Sequence, residues 1–209
     1  MNIQKKVEEY IVRSKSIKDC LKNKLINYSA LSRKISKELN ISEKNFDAVL
    51  VSCRRYAETL RKKKTYERKI IELLKESSLE IKNKVSVIVI EKTIFSNSIM
   101  ELTKNIRKKK GLFRTIEGIN SITIITNDEF INSLKDIFKN TVLSIKQNLI
   151  EVTIKSSENL ETTPGVMAYL YSLFGEREIN IIETMSCWTD TMFVIEEKDL
   201  TDVMNLLKF

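Results

Sequence analysis

The amino-acid sequence predicts an α+β protein: an N-terminal helical domain followed by two ferredoxin-like βαββα modules. Three observations predict it. All four glycines and the single proline lie from Gly111 onward, so the first half lacks the residues that most often break helices and mark turns. Apolar residues recur there at helical spacing to about Ser78. Beyond Leu79 short β-branched runs alternate with helical stripes, twice in the order β-α-β-β-α.

In the front, Val7, Tyr10 and Ile11 form a short stripe, and Ser16 is placed to cap a helix carrying Ile17, Cys20 and Leu21. Asn27 precedes Leu31, Ile35 and Leu39. Ser42 is placed to cap a longer helix with Phe46, Val49, Leu50, Cys53, Ala57 and Leu60 on its buried face, because short polar side chains accept from the orphan amides of a first turn. A last helix carries Ile70, Leu73 and Leu74.

The first module reads as strand Val85 to Ile90, helix Ser96 to Lys110, strands Leu112 to Glu117 and Ser121 to Thr126, helix Asp128 to Lys139 and strand Val142 to Lys146. The second reads as strand Leu149 to Ile154, helix Gly165 to Phe174, strands Ile179 to Cys187 and Met192 to Glu196, and helix Asp199 to Lys208. An offset of 70 superposes Phe130 on Leu200, Leu134 on Met204 and Ile137 on Leu207, which points to an internal repeat. The expected domains are residues 1–78, 79–147 and 148–209. The second module lacks a closing strand, and an edge strand of the first module or a partner chain is expected to cover the open edge.

Charge divides the same way. Residues 1–78 hold 20 Lys and Arg against 10 Asp and Glu, residues 79–147 hold 12 against 7, and residues 148–209 hold 4 against 11. The basic front suits an anionic partner such as nucleic acid, although a solvated lysine-rich helical surface has the same composition. Histidine is absent, which removes imidazole general-base chemistry and the commonest metal ligand. Neither a GxxxxGK nor a GxGxxG loop occurs. Cys20, Cys53 and Cys187 are odd in number and form no CxxC pair, so neither a disulfide framework nor a zinc site is expected. With no signal-like start and no long apolar run, the sequence predicts a reduced, cytoplasmic, non-catalytic protein with no cofactor and no membrane contact.

The run Thr163-Pro164-Gly165-Val166, a helix ending near Gly175, then Ile179-Asn180-Ile181-Ile182 resembles the PGV loop and following strand of ACT domains, especially those of aspartate kinases. Trp188-Thr189-Asp190-Thr191-Met192-Phe193-Val194-Ile195 and the helix from Asp199 keep the family's spacing. The resemblance implies a regulatory module that binds an effector amino acid across a domain interface, with Asn159, Leu160, Thr163, Pro164, Gly165, Val166, Asn180 and Ile181 as the ligand-binding residues. Chemically the loop suits this role: Pro164 fixes φ, Gly165 permits close backbone approach, and the amides of a helix start can meet a carboxylate. The corresponding loop of the first module, Thr93 to Asn97, has neither proline nor glycine and reads as architectural. Trp188 is read as a packed aromatic before a ligand-stacking one. Paired ACT modules in the family also imply a homodimer.

In the front, Ile35 to Phe46 resembles a helix-turn-helix, with Leu39, Ile41 and Phe46 packed and Asn40 in place of the usual turn glycine. That resemblance makes Ser42 to Arg55 a recognition helix, with Lys44, Asn45, Arg54 and Arg55 as DNA contacts. Glu43 and Asp47 oppose it, and generic three-helix packing gives the same pattern. The clusters Arg61 to Lys64 and Arg107 to Lys110 are expected to cover helix ends. As a whole the chain resembles archaeal regulators of amino-acid metabolism with ACT modules behind a helical domain. The expected function is an amino-acid-responsive transcriptional or metabolic regulator; the alternative is a non-catalytic regulatory subunit that binds an amino-acid biosynthetic enzyme.

Overall fold

A computed structural model describes residues 2–62, 65–92 and 97–209. The chain divides into two compact units, Met1–Lys69 and Ile70–Phe209.

The first unit is helical. Its elements are α1 (Ile3–Val12), α2 (Lys15–Lys22), α3 (Tyr28–Glu38), a 3-10 turn at Glu43–Asn45, and α4 (Phe46–Lys62). Asn27 caps α3 as expected, its side chain accepting from Ala30 N at 3.0 Å. The cap of α2 is Ser14 rather than Ser16: Ser14 Oγ accepts from Ile17 N at 3.4 Å, so α2 starts earlier than the sequence suggested. Ser42 makes no side-chain cap, and the 3-10 turn delays α4 to Phe46. Val49, Cys53 and Ala57 of α4 are fully buried against Val7, Ile11, Leu21, Leu31 and Ile35. The packing core of this unit therefore lies along α4, at about 1.5–3 kcal/mol for each large apolar side chain removed from water.

The next helix, α5 (Thr65–Lys75), crosses the division between the units. Its stripe Ile70, Leu73 and Leu74 packs in the core of the second unit, beside Ile154, Leu170 and Phe174.

The second unit is a mixed α/β unit built on one antiparallel sheet. Its elements are β1 (Ser78–Glu91), α6 (Asn97–Lys108), β2 (Phe113–Glu117), β3 (Ser121–Asn127), α7 (Ile131–Phe138), β4 (Val142–Lys155), a helical turn α8 (Asn159–Thr162), α9 (Val166–Glu176), β5 (Glu183–Cys187), β6 (Asp190–Glu196) and α10 (Leu200–Leu206). The strand order is β2-β3-β1-β4-β6-β5. The runs Val142 to Lys146 and Leu149 to Ile154, read from the sequence as two strands, are one 14-residue strand. The run Val85 to Ile90 is the second half of another.

These two long strands answer the question of the closing strand. Leu79 pairs with Ile154 and Ile81 with Val152, so the front half of β1 covers the edge of the C-terminal strands β4, β6 and β5. The back half of β1 pairs with β3, and with the front half of β4. Both strands bend at their middles: the register of β1 shifts between Lys82 and Val85, and Lys84 and Asn148 have positive φ, +52° and +56°. Extra residues of this kind increase twist and bend the strand.

At this crease the sheet curls. Its helix-bearing face packs Ile88, Ile90, Ile122 and Ile124 on α7. It also packs Ile150, Val152, Ile154, Phe193 and Ile195 on α9 and α10. On the opposite face Val85, Val87, Ile125, Leu149 and Val194 meet one another in a separate cluster. The buried faces of α7 and α10 superpose at an offset of 69, Leu134 with Val203 and Phe138 with Leu207; Ile137, expected opposite Leu207, is 37% exposed.

Candidate functional site

The loop after β4 is held at both ends. Ser156 N donates to Thr189 O at 2.8 Å, tying its start to the β5–β6 turn. The buried Leu160 anchors α8 in the core. Thr163 Oγ1 donates to Asn159 O at 2.7 Å and closes that turn. Gly165 then has φ +91° and precedes α9 without a side-chain cap. A left-handed residue at this point costs an L side chain roughly 1–2 kcal/mol, which glycine avoids. A Cβ here would meet only Ile70 Cδ1, at 3.5 Å, so the requirement for glycine is conformational.

Above this helix start lies a cavity of about 460 Å³, lined by Leu160, Glu161, Thr163, Gly165, Val166, Met167, Ala168, Ser186 and Trp188. Four of the expected ligand-binding residues, Leu160, Thr163, Gly165 and Val166, line it, and Asn159 and Pro164 flank it in the chain. Asn180 and Ile181 do not join them. They follow the far end of α9, whose 11 residues span about 16 Å at 1.5 Å per residue. Asn180 is exposed, and Ile181 packs against the core below α9. One small ligand cannot touch both ends of α9 in one chain.

Sequence reasoning did not place Glu161, Met167, Ala168 and Ser186 at this site; only the tertiary fold brings the β5–β6 hairpin over the helix start. Trp188 is a correction. It stands at φ +50° in the hairpin turn and is 59% exposed, so it is not a packed aromatic but an open ring at the cavity's rim. The corresponding loop of the first half, Thr93 to Ser96, lies outside the described residues, as do Lys63 and Lys64 of the basic cluster after Arg61.

A second charged feature lies on the inner face of the curled sheet. Glu151 on β4 is fully buried. Arg114 of the edge strand β2 reaches it with two bonds, Nε to Oε2 at 3.0 Å and Nη2 to Oε1 at 3.1 Å, and Lys82 Nζ donates to Oε1 at 3.2 Å. The Glu151 carboxylate holds the Arg114 pKa above its ordinary value. Nearby, burial raises the Glu183 pKa, while the hydrogen bond from Thr123 and the charge of Lys146 oppose the rise.

In the helical unit, Asn40 adopts the left-handed conformation expected of it, φ +51°. Ile41 N donates to Ser36 O at 2.8 Å across that turn, the closure a left-handed C-cap makes. Lys44 and Asn45 stand in the 3-10 turn, and Arg54 and Arg55 are exposed on α4. The expected helix from Ser42 to Arg55 thus runs from Phe46 to Lys62.

Among the described residues no group of three or more His, Cys, Asp and Glu is placed to hold a metal ion. Nor is any described helix long and apolar enough to cross a membrane.

No protein-family model matches the chain. No curated protein matches it either. Among solved structures, the aspartate kinase of Clostridium acetobutylicum, an allosteric enzyme, superposes with a TM-score of 0.51 at 14% identity, over 63% of this chain and 34% of that one. The sheet unit has an ACT-like fold. The regulatory subunit of aspartate kinase from Thermus thermophilus, in its ligand-free form, gives a TM-score of 0.48 at 11% identity, over 62% of this chain and 92% of that one. Aspartokinase III of E. coli, in complex with aspartate and ADP, gives 0.49 at 11% identity, over 62% and 32%. At such identities the likeness is one of fold. The shared part spans about a third of the Clostridium kinase.

Proposed function

We propose that the chain is a non-catalytic, cytoplasmic regulator whose C-terminal unit binds a free amino acid and controls an enzyme of amino-acid biosynthesis as a separate regulatory subunit. The observation that carries this reading is the cavity at Gly165, set at an uncapped helix start in a fold like part of an allosteric aspartate kinase. The first-turn amides of α9 suit the ligand's carboxylate, and Glu161 on the same cavity suits its ammonium group. A zwitterion answers both demands, whereas a simple anion would meet repulsion from Glu161.

In this reading the sheet unit comprises two ACT-type modules of ferredoxin-like strand order, residues 79–147 and 148–209, each closed by a long strand of the other. Asn180 and Ile181 belong to the site only if they come from a second copy, so the regulator is a homodimer in which each cavity is completed across the interface. The effector then favours one dimer arrangement by its differential affinity for it.

A second reading, in which the target is DNA, rests on the helical unit. Residues 1–69 hold 19 Lys and Arg against 8 Asp and Glu, and in this reading the 3-10 turn supplies Lys44 and Asn45, and α4 supplies Arg54 and Arg55, as the contacts.

Thermal-shift measurements on the full chain with each of the twenty amino acids test the leading reading. One or a few should raise the melting temperature by mass action, and Gly165→Val should abolish that rise. No shift with any amino acid sinks the effector reading, and loss of DNA affinity at low salt on adding the effector would favour the second target over the first.

A further inference from the structure

The helical unit carries a separate concavity of about 290 Å³, lined by Lys24, Tyr28, Arg54, Glu58 and Arg61. The sequence itself builds this grouping. Arg54, Glu58 and Arg61 fall at i, i+4 and i+7 on α4 and so share one face. Tyr28 is the first residue of α3, and Lys24 stands in the turn before it. That turn is fixed: Lys24 is left-handed, φ +61°, and Leu25 N closes over it onto Cys20 O at 2.8 Å.

Three features make the cavity electropositive. Among the described lining residues, Lys24, Arg54 and Arg61 face one carboxylate, Glu58. The first turn of α3 holds no acidic residue, so no side-chain charge offsets the positive end of that helix, which Asn27 caps with a neutral amide. Arg61 is also incompletely satisfied. Its Nη2 donates to Tyr28 Oη at 2.6 Å, which orients the guanidinium, while its Nε is buried with no acceptor among the described residues. Buried donors are nearly always paired, so an orphan guanidinium nitrogen in an electropositive concavity marks the place of a missing acceptor.

We propose that this cavity is an oxyanion site for a phosphoryl group. The Arg61 guanidinium, left one acceptor short, turns to donate to one oxygen, Arg54 and Lys24 neutralise the others, and Tyr28 positions Arg61. A tetrahedral dianion suits donors arriving from α4, from the α2–α3 turn and from the start of α3, and arginine presents such donors in a fixed fork. Glu58 beside them weakens the site and keeps binding reversible. The phosphoryl group comes either from a nucleic-acid backbone or from a phosphorylated small molecule, since both offer the same oxygens.

The test is calorimetric titration of the full chain with inorganic pyrophosphate at low salt, followed by competition with a mixed-sequence DNA duplex. Saturable pyrophosphate binding is expected, weakened about tenfold by Arg54→Gln or Lys24→Gln through loss of a charge-assisted hydrogen bond. Glu58→Gln should tighten it. Arg61→Lys retains the charge but removes the guanidinium fork, and should weaken binding with the circular dichroism spectrum unchanged. Lys5→Gln, the same charge change on the exposed start of α1, should leave it intact. No saturable binding, or equal weakening by Lys5→Gln and Arg54→Gln, overturns the site in favour of diffuse charge. If duplex DNA displaces pyrophosphate and loses affinity in the same variants, the phosphoryl group belongs to a nucleic-acid backbone. If it does neither while pyrophosphate still binds, the ligand is a phosphorylated small molecule.

Discussion

The two halves of the curled sheet share a strand order but are closed from opposite directions along the chain. The half built on β2, β3 and the back of β1 is completed by the front of β4, which follows it in sequence. The half built on β4, β6 and β5 is completed by the front of β1, which precedes it by some seventy residues. Each long strand therefore serves both halves, and neither half can leave without opening the other's edge. A repeat read from the sequence as two successive modules is, in three dimensions, one module inserted between the closing strand and the body of the other.

The largest effect expected from this difference is on truncated chains. A chain beginning at Ile70 retains the second half of α5, with Ile70, Leu73 and Leu74, and the closing strand, and should unfold cooperatively. One beginning at Ser77 loses Ile70, Leu73 and Leu74 from the core, at about 1.5–3 kcal/mol each, which approaches the whole stability of a small domain, about 5–15 kcal/mol. One beginning at Val85 loses the strand as well and should show no cooperative thermal transition. Equal transitions in all three, measured by circular dichroism, would mean that the closing strand and α5 contribute nothing to the second half.

Next in size is the ion cluster that crosses the crease. Glu151→Ala leaves Arg114 without its paired carboxylate, while Lys82 keeps Glu80. Breaking a buried pair by removing one partner costs about 3–5 kcal/mol. The double variant Arg114→Met/Glu151→Met, which removes the pair and fills its volume, should recover most of that loss in urea denaturation. A loss in the double variant as great as in the single would show that the cluster does not lock β2 to β4 by charge.

A smaller effect compares backbone positions. Gly165→Ala places a side chain at φ +91° and should destabilise by about 1–2 kcal/mol. Lys84→Gly relieves a strained residue at the crease, φ +52°, yet loosens the unfolded chain by about 0.5–1 kcal/mol, so its net gain should be slight. Opposite signs in the two melting-temperature shifts are the expected result.

Which of these features the sequence disclosed follows from the range of the interactions that make them. Dense runs such as Val85 to Ile90 and Ser121 to Thr126 declare themselves by local pattern, as does the Pro164-Gly165 helix start. The front of β1 does not: Leu79 and Ile81 are its only apolar residues, Leu79 packs on a core built mostly from residues about seventy positions later, and Ile81 is 40% exposed. Gln147-Asn148 read as a break between strands, but Asn148 is left-handed and β4 passes through it as a bend. Conversely Ile179 to Ile182 looked like strand although pairing within β5 begins only at Glu183; Ile179 is buried by the C-cap of α9, its amide donating to Phe174 O at 3.0 Å. The site divides likewise. Thr163, Gly165 and Val166 were legible as a local motif, whereas Ser186 and Trp188 reach the cavity through the β6 pairing, which local periodicity does not encode.

The smallest expected effect uses pH to separate the two halves' charges. Glu183 on the edge strand β5 faces Thr123 of the other half, 3.5 Å away, and burial raises its pKa above the ordinary 4.5. A raised folded pKa contributes stability that is present below 4.5 and lost as pH rises through the folded value. Glu183→Gln should therefore melt higher than the native chain at neutral pH, with the gap closing as pH falls below 4.5. Glu80, on the closing strand, is shifted the other way by hydrogen bonds from Lys155 and then Lys82. Its contribution is present above 4.5 and lost as pH falls through the lowered value, so Glu80→Gln should melt lower at neutral pH, by little because the group is exposed. That gap should also close in acid, from the opposite side. Melting curves from pH 3 to pH 8 read both signs at once. Parallel curves for the two variants would mean that the half-buried carboxylate of β5 is as well solvated as the exposed one on β1, and that the two halves do not close on each other at Thr123 and Glu183.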